Sequence, residues 1–376
     1  MKQAHAPNMP PTVPTEFPRH LLPLLRCSRD GGSLSTTNEA RVSTFGISDA
    51  RLVCTSCKAE YAIEQGIARM LGDALTPEDE HEIAIRDEEF SCSTPAPFVP
   101  PAIGWRSELS DLIEIPPFLA ALEPLDGRRV LEIGCGDGRF SMLMAQRGAD
   151  VLAIDFSINA LRKLAMWLPA GIAPTVYPQA DPGAARDVRR RIGLVQADAS
   201  RGLVASRSFD RALSTTPLDS REQRLSMYRT IADALTDDGW FIGSVEHDDL
   251  IRRSLGLPLA RRYEAGGIFI EHFGPPTVRR ECAPYFGRVR SRPIRPRVPL
   301  VTRLPLRLSV RVSRAVAAVP VLRQLGEILL FRAEAPLRLP AEDAHRPGNR
   351  FAKLLYGLWT RGKIARQVRQ ASDAQT

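Results

Sequence analysis

The stretch that most constrains this chain runs from Val130 to Phe140, Val-Leu-Glu-Ile-Gly-Cys-Gly-Asp-Gly-Arg-Phe. Val130, Leu131 and Ile133 read as a buried strand, and a helix is expected from about Arg139. Between them, Gly134, Gly136 and Gly138 make a turn whose backbone can come close to a ligand, with helix amides aimed at it. Two details narrow the ligand. The dinucleotide fingerprint requires a small residue where Arg139 stands, for tight helix–strand packing. A phosphate-binding P-loop requires Gly-Lys-Ser/Thr after the turn, and none follows. What remains is acid-x-Gly-x-Gly-x-Gly, with Glu132 as the acid.

The next apolar strand, Val151-Leu-Ala-Ile-Asp155, ends on a carboxylate 17 residues after Gly138. At the tip of a neighbouring parallel strand, such a group can accept both hydroxyl hydrogens of a ribose. Glu132, Gly134, Gly136, Gly138 and Asp155 resemble the first two motifs of the class I S-adenosylmethionine-dependent methyltransferases, of the type 11-like kind. The resemblance covers about residues 108–246. It implies an α/β fold, a doubly wound, seven-stranded Rossmann-like sheet with its crevice at the strand C-terminal ends. It implies S-adenosylmethionine as cofactor, with Asp198 accepting from the adenine amine, Ala199 beside the ring and Phe156 packed on it. Phe209 to Leu218 would be the fourth strand and its exit loop, whose C-terminal end, with Ser214, would face the transferable methyl. Strands near 286–294 and 326–334 would be the sixth and the antiparallel seventh. Cys135 is expected as a small filler residue.

No catalytic residue is assigned. The methyl of this cofactor sits on a cationic sulfur, so orientation, which can supply about 7–11 kcal/mol, does most of the work. A general base is required only if the acceptor is protonated. His247, just past the fifth strand, is expected as a solvated loop histidine, with a base as its alternative. Tyr263 and His272 lie in a stretch, 258–278, expected to cap the site.

Upstream, Cys54-Thr-Ser-Cys57 is a knuckle of the kind that supplies two zinc ligands. Cys27-Ser-Arg-Asp30 has the same spacing, with Asp30 in place of a second cysteine. With the tail Tyr61-x-Ile63…Gly66-Ile67…Met70-Leu71, this resembles the Trm112-like zinc ribbons. The resemblance implies a small N-terminal zinc-ribbon-like module over 18–72 and a metal set of Cys27, Asp30, Cys54 and Cys57. A carboxylate oxygen can ligate zinc. The alternative is a metal-free remnant relying on Leu21, Leu24, Leu25, Ile63 and Ile67.

Prolines suggest a disordered lead-in over 1–17. Residues 73–107 read as an acidic and proline-rich linker, with one helix near 77–89 and with Trp105 and Arg106 as candidate lid residues. The helix from 108 is expected to break at Pro116-Pro117. The net charge of +8 is uneven: residues 279–376 hold 21 Lys/Arg against 6 Asp/Glu. Arg303, Arg307, Arg311 and Arg314 share one face of a helix within a basic insertion at about 298–325; Leu308, Val312, Ala315, Val316 and Val319 share another. The tail, 336–376, repeats this pattern. The leading reading is a helix packed on the domain with a solvated basic face; an anionic membrane surface and then RNA phosphates are the functional alternatives. Six cysteines in no regular pattern exclude a disulfide scaffold, and no apolar run approaches the roughly 20 residues of a membrane span. The expected location is cytoplasmic, with peripheral contact at the inner membrane face as an alternative. The reading is a methyltransferase acting on a small-molecule or lipid-like acceptor. An rRNA base methyltransferase and a non-catalytic scaffold are the rivals.

Overall fold

The computed structural model describes residues 15–37, 40–43, 46–71, 75, 77–90, 108–178, 187–200, 202–215, 220–262 and 269–338. The lid candidates Trp105 and Arg106, Tyr263, most of the proposed lead-in and nearly all of the basic tail lie outside them.

Seven strands form the sheet that the glycine turn implied: β6 (Arg129–Ile133), β7 (Asp150–Asp155), β8 (Ile192–Gln196), β9 (Phe209–Ser214), β10 (Leu235–His247), β13 (Phe286–Pro296) and β14 (Gly326–Pro336). Their order is β8-β7-β6-β9-β10-β14-β13. All run parallel except β14, which lies antiparallel between β10 and β13. Residues along a strand alternate between faces, so each strand feeds two cores. Leu131 and Leu152 join one cluster, and Val130 and Val151 the other.

The crossover helices are α2 (Glu108–Leu122), α3 (Arg139–Gln146), α4 (Ile158–Trp167) and α5 (Arg221–Ala234). Helix α2 runs unbroken through Pro116 and Pro117, against expectation. Burial of Ile113, Ile115, Phe118, Leu119 and Leu122 outweighs the cost of about 3 kcal/mol that an interior proline carries.

The N-terminal ribbon comprises β1 (Leu34–Thr36), β2 (Arg41–Val42), β3 (Ile47–Cys54), β4 (Glu60–Glu64) and β5 (Ile67–Arg69). It does not stand apart. Strand β5 pairs in parallel with β8, Ile67 opposite Leu194 and Arg69 opposite Gln196, and so covers an otherwise open sheet edge. Leu21, Leu52 and Ile63 share a cluster with Leu131 and Phe241. Phe17, expected in the lead-in, is fully buried and exchanges backbone hydrogen bonds with Ile47. It lies against Gly193 of β8, where an added Cβ would stand 3.0 Å from its ring.

Helix α1 (Pro77–Glu89) precedes α2. Beyond β10 come α6 (Leu250–Ser254), β11 (Ala260–Arg262), β12 (Phe269–Phe273) and α7 (Pro275–Cys282); helix α8 (Leu306–Ala318) lies between β13 and β14.

Candidate functional site

The C-terminal ends of β6, β7, β8 and β9 bring together Glu132, Gly134, Gly136, Gly138, Asp155, Phe156, Asp198, Ala199 and Ser214. The three glycines all take positive φ, the left-handed region that glycine alone enters freely. At Gly138 the close approach is decisive: a Cβ there would stand 2.1 Å from Leu164 Cδ1 of α4. The turn is pinned to the neighbouring strand by the Gly134 and Cys135 amides, which donate to the Ile154 carbonyl at 2.8 and 3.1 Å.

Asp155 stands at the tip of β7 and faces this turn. Its carboxylate accepts from the Gly136 amide at 2.7 Å and from the Ser157 amide at 2.9 Å. Burial pushes its pKa up, against those amides, which hold it down. Glu132 is buried one strand away and accepts from the Ser141 hydroxyl. Burial raises its pKa to about 8. Asp198 accepts from the Ser200 amide at 2.8 Å, which bends the chain after β8. Ser214 is buried and lines a cavity of about 10 Å³ with Arg224, Tyr228 and Ser244, room for one water. Cys135 is buried with its thiol raised well above its ordinary value by desolvation, as suits a filler residue.

Several residues that position this crevice were not legible beforehand. Helix α1 is no mere spacer. Asp87 accepts from the Ser157 hydroxyl at 2.5 Å and from the Asn159 amide at 3.2 Å, which docks α1 onto the start of α4. The Phe90 ring then lies 3.4 Å from where a Cβ would stand on Gly136. Arg139, which broke the dinucleotide pattern, is buried and paired to Asp111 at 3.0 Å and Glu114 at 2.9 Å. It ties α2 to the head of α3; the visible signal was a charge at the start of an otherwise buried helix. Arg224 is buried against Glu281 and Glu271 and over the Phe273 ring.

His247 is corrected. It is fully buried rather than solvated, because β12 pairs beside the end of β10 with His247 opposite Phe273. Its Nδ1 lies 2.7 Å from the Gly326 carbonyl, and burial lowers its pKa. His272 is nearly buried, with Nδ1 3.2 Å from the Leu259 carbonyl.

In the ribbon, one ligand atom each from Cys27, Asp30, Cys54 and Cys57 falls within 4.8 Å of the others. Backbone amides of Arg29 and Ser56 donate to the Cys27 and Cys54 sulfurs, each at 3.4 Å. The Gly32 amide donates to Asp30 at 2.9 Å. A Cβ on Gly32 would come within 2.7 Å of the Cys54 sulfur, so glycine keeps the cradle open. Three sulfurs and a carboxylate in this arrangement fit a tetrahedral zinc ion.

A methyltransferase-domain family matches residues 105–279. That span is similar to a methyltransferase domain and contains the glycine turn and Asp155. Among curated relatives, a ubiquinone biosynthesis O-methyltransferase of Paracidovorax citrulli is 43% identical over 61 residues, 15% of this chain and 26% of the relative. Phosphoethanolamine N-methyltransferase 3 of Arabidopsis thaliana is 44% identical over 59 residues, 15% of this chain and 12% of the relative. The chain thus spans about a quarter or less of the length of these two relatives. Among solved structures, an S-adenosylmethionine-dependent methyltransferase from Mesorhizobium loti is 22% identical, with a TM-score of 0.39, covering 58% of this chain and 96% of that one.

Proposed function

We propose that this chain transfers a methyl group from S-adenosylmethionine to a small-molecule or lipid-like acceptor. The observation that carries the proposal is Asp155: a carboxylate at a strand tip, aimed across the crevice at the amide of Gly136. A ribose entering there exchanges one amide donor for two hydroxyl donors on the same carboxylate. In this reading Asp198 accepts from the adenine amine, with Phe156 and Ala199 beside the ring. Gly134, Gly136 and Gly138 give the rest of the cofactor room against the backbone. The cofactor supplies an activated methyl on cationic sulfur. The protein's part is then to hold the acceptor in line.

The similarity to a ubiquinone biosynthesis O-methyltransferase and a phosphoethanolamine N-methyltransferase supports a small-molecule acceptor methylated on oxygen or nitrogen. In this reading residues 18–72 are a ribbon holding zinc through Cys27, Asp30, Cys54 and Cys57, a cross-link with no part in transfer. Residues 108–335 are the catalytic domain, with 298–325 as a basic insertion. The chain works on the cytoplasmic side, at the inner membrane face. Among the described residues no helix is long and apolar enough to cross a membrane.

Calorimetric titration with S-adenosylhomocysteine tests the core of the proposal. Asp155→Ala is expected to weaken binding by about 10- to 100-fold, the worth of one charge-assisted hydrogen bond or two. Equal affinity in parent and variant would remove its basis. A tritiated-methyl assay on cell extract fractionated into lipid, RNA and protein then identifies the acceptor class; label in RNA would favour the rRNA rival.

A further inference from the structure

Helix α8 buries two serines and only half-buries Val310, Val312 and Val316. A globular helix buries its aliphatic residues and leaves serines in water. Here Ser309 and Ser313 are the buried residues of the helix. Leu306 and Leu308 are exposed, and so are Arg307, Arg311 and Arg314. The Ser309 hydroxyl donates to the Val301 carbonyl at 2.7 Å, which fixes this rotation. Beyond the ends of the helix, Leu300 and Val321 are 63% and 70% exposed.

The position of this surface follows from strand register. Segment 297–325 leaves β13 at Pro296 and enters β14 at Gly326, and these two residues are paired. Two residues further, Ile294 and Ile328 are paired, and Ile328 lies opposite Glu246 near the end of β10. The segment therefore emerges at the end of the sheet that carries the crevice. Helix α6 leaves β10 at the same end, lies against the 322–325 turn, and is followed by Leu255, 66% exposed. Residues 298–325 contain five arginines and no acidic residue.

We infer that this α6–α8 surface docks the protein onto an anionic phospholipid bilayer. Exposed leucine and valine flanked by arginine match the two layers of a membrane interface, acyl chains and negative headgroups. A second copy of the chain would set arginine against arginine. The basic segment 339–376 would do the same, with seven Lys/Arg against three Asp/Glu. Single-stranded RNA is bound by stacking on aromatic side chains, whereas the exposed apolar groups here are aliphatic. Delivery of a bilayer-resident acceptor to the crevice rests on the proposed methyl transfer; docking itself does not.

The test is flotation of the full chain with vesicles of phosphatidylcholine alone and of phosphatidylcholine with phosphatidylglycerol. Binding is expected to the anionic vesicles and to weaken with salt. Arg307→Glu with Arg311→Glu, and separately Leu255→Ser with Val321→Ser, should each lower the partition coefficient by about tenfold or more. S-adenosylhomocysteine titration should be unchanged in both variants, showing an intact fold. Three results would overturn the inference: no flotation with anionic vesicles, undiminished flotation of the serine variant, or a parent dimer in sedimentation that the serine variant splits. Loss of S-adenosylhomocysteine binding in the parent would instead strike the methyltransferase reading and leave docking standing.

Discussion

Two candidate ligand cradles in this protein place a carboxylate beside glycine turns, and they are built in opposite ways. At the crevice, Glu132 is buried under the sheet's own core, and that burial raises it to about 8. At the cysteine cluster, Asp30 is exposed, and the Gly32 amide holds it down at about 2. The crevice is a product of the fold: its residues sit at the ends of strands buried on both faces. In the cluster Cys27 and Cys54 are packed into the core, but Asp30 and Cys57 are exposed and have less packing to fix them. In the proposed reading a cofactor would meet a nearly finished site, whereas a metal would complete its own.

The largest effect is expected from a change that attacks the fold at the crevice. Gly138→Val puts side-chain atoms where Leu164 already is, on a backbone with φ of +85°. It should cost about 3 kcal/mol or more in denaturant unfolding and abolish cofactor binding. Near-parental stability would mean that the turn is softer than its packing indicates.

The pH dependence comes next. In the folded chain Glu132 keeps its proton up to about 8, against an ordinary value of 4.5. Between these values the native state binds more protons than the unfolded state, so stability falls as pH rises. The slope from this group is at most about 1.4 kcal/mol per pH unit. Glu132→Gln should flatten the parent's fall in unfolding free energy across that window. An unchanged slope would show that the carboxyl ionises in place.

Asp30→Ala sharpens the comparison from the other side. Zinc affinity, measured by chelator competition, should fall by about 10- to 100-fold, while S-adenosylhomocysteine binding stays within about twofold of the parent. If the cofactor were lost too, the two cradles would be coupled through β5 and β8. The smallest effect is expected at Asp87→Ala, which frees α1 from Ser157 and Asn159. About 1 kcal/mol of stability should be lost, and S-adenosylhomocysteine should dissociate faster in stopped-flow measurements.

Local spacing was enough to locate the crevice. The three glycines, a carboxylate 17 residues on and the apolar strands around them can be read because strand ends and turns are short-range features. The cysteine knuckles could be read for the same reason. Docking of α1 onto α4 joins residues 70 and 72 positions apart, Asp87 with Ser157 and Asn159, and nothing local signals it. The expected break at Pro116-Pro117 failed because local propensity yielded to burial of the helix's apolar face.

By itself, the sequence determined the short motifs, the glycine turn, the strand-end carboxylates and the two knuckles, since each is made of neighbours in the chain. Only the tertiary structure decided that the ribbon extends the central sheet, that His247 is buried, and that α8 turns its serines inward. These are choices among faces of the same periodic pattern. Periodicity states that a helix has two sides, and long-range packing selects which side is covered.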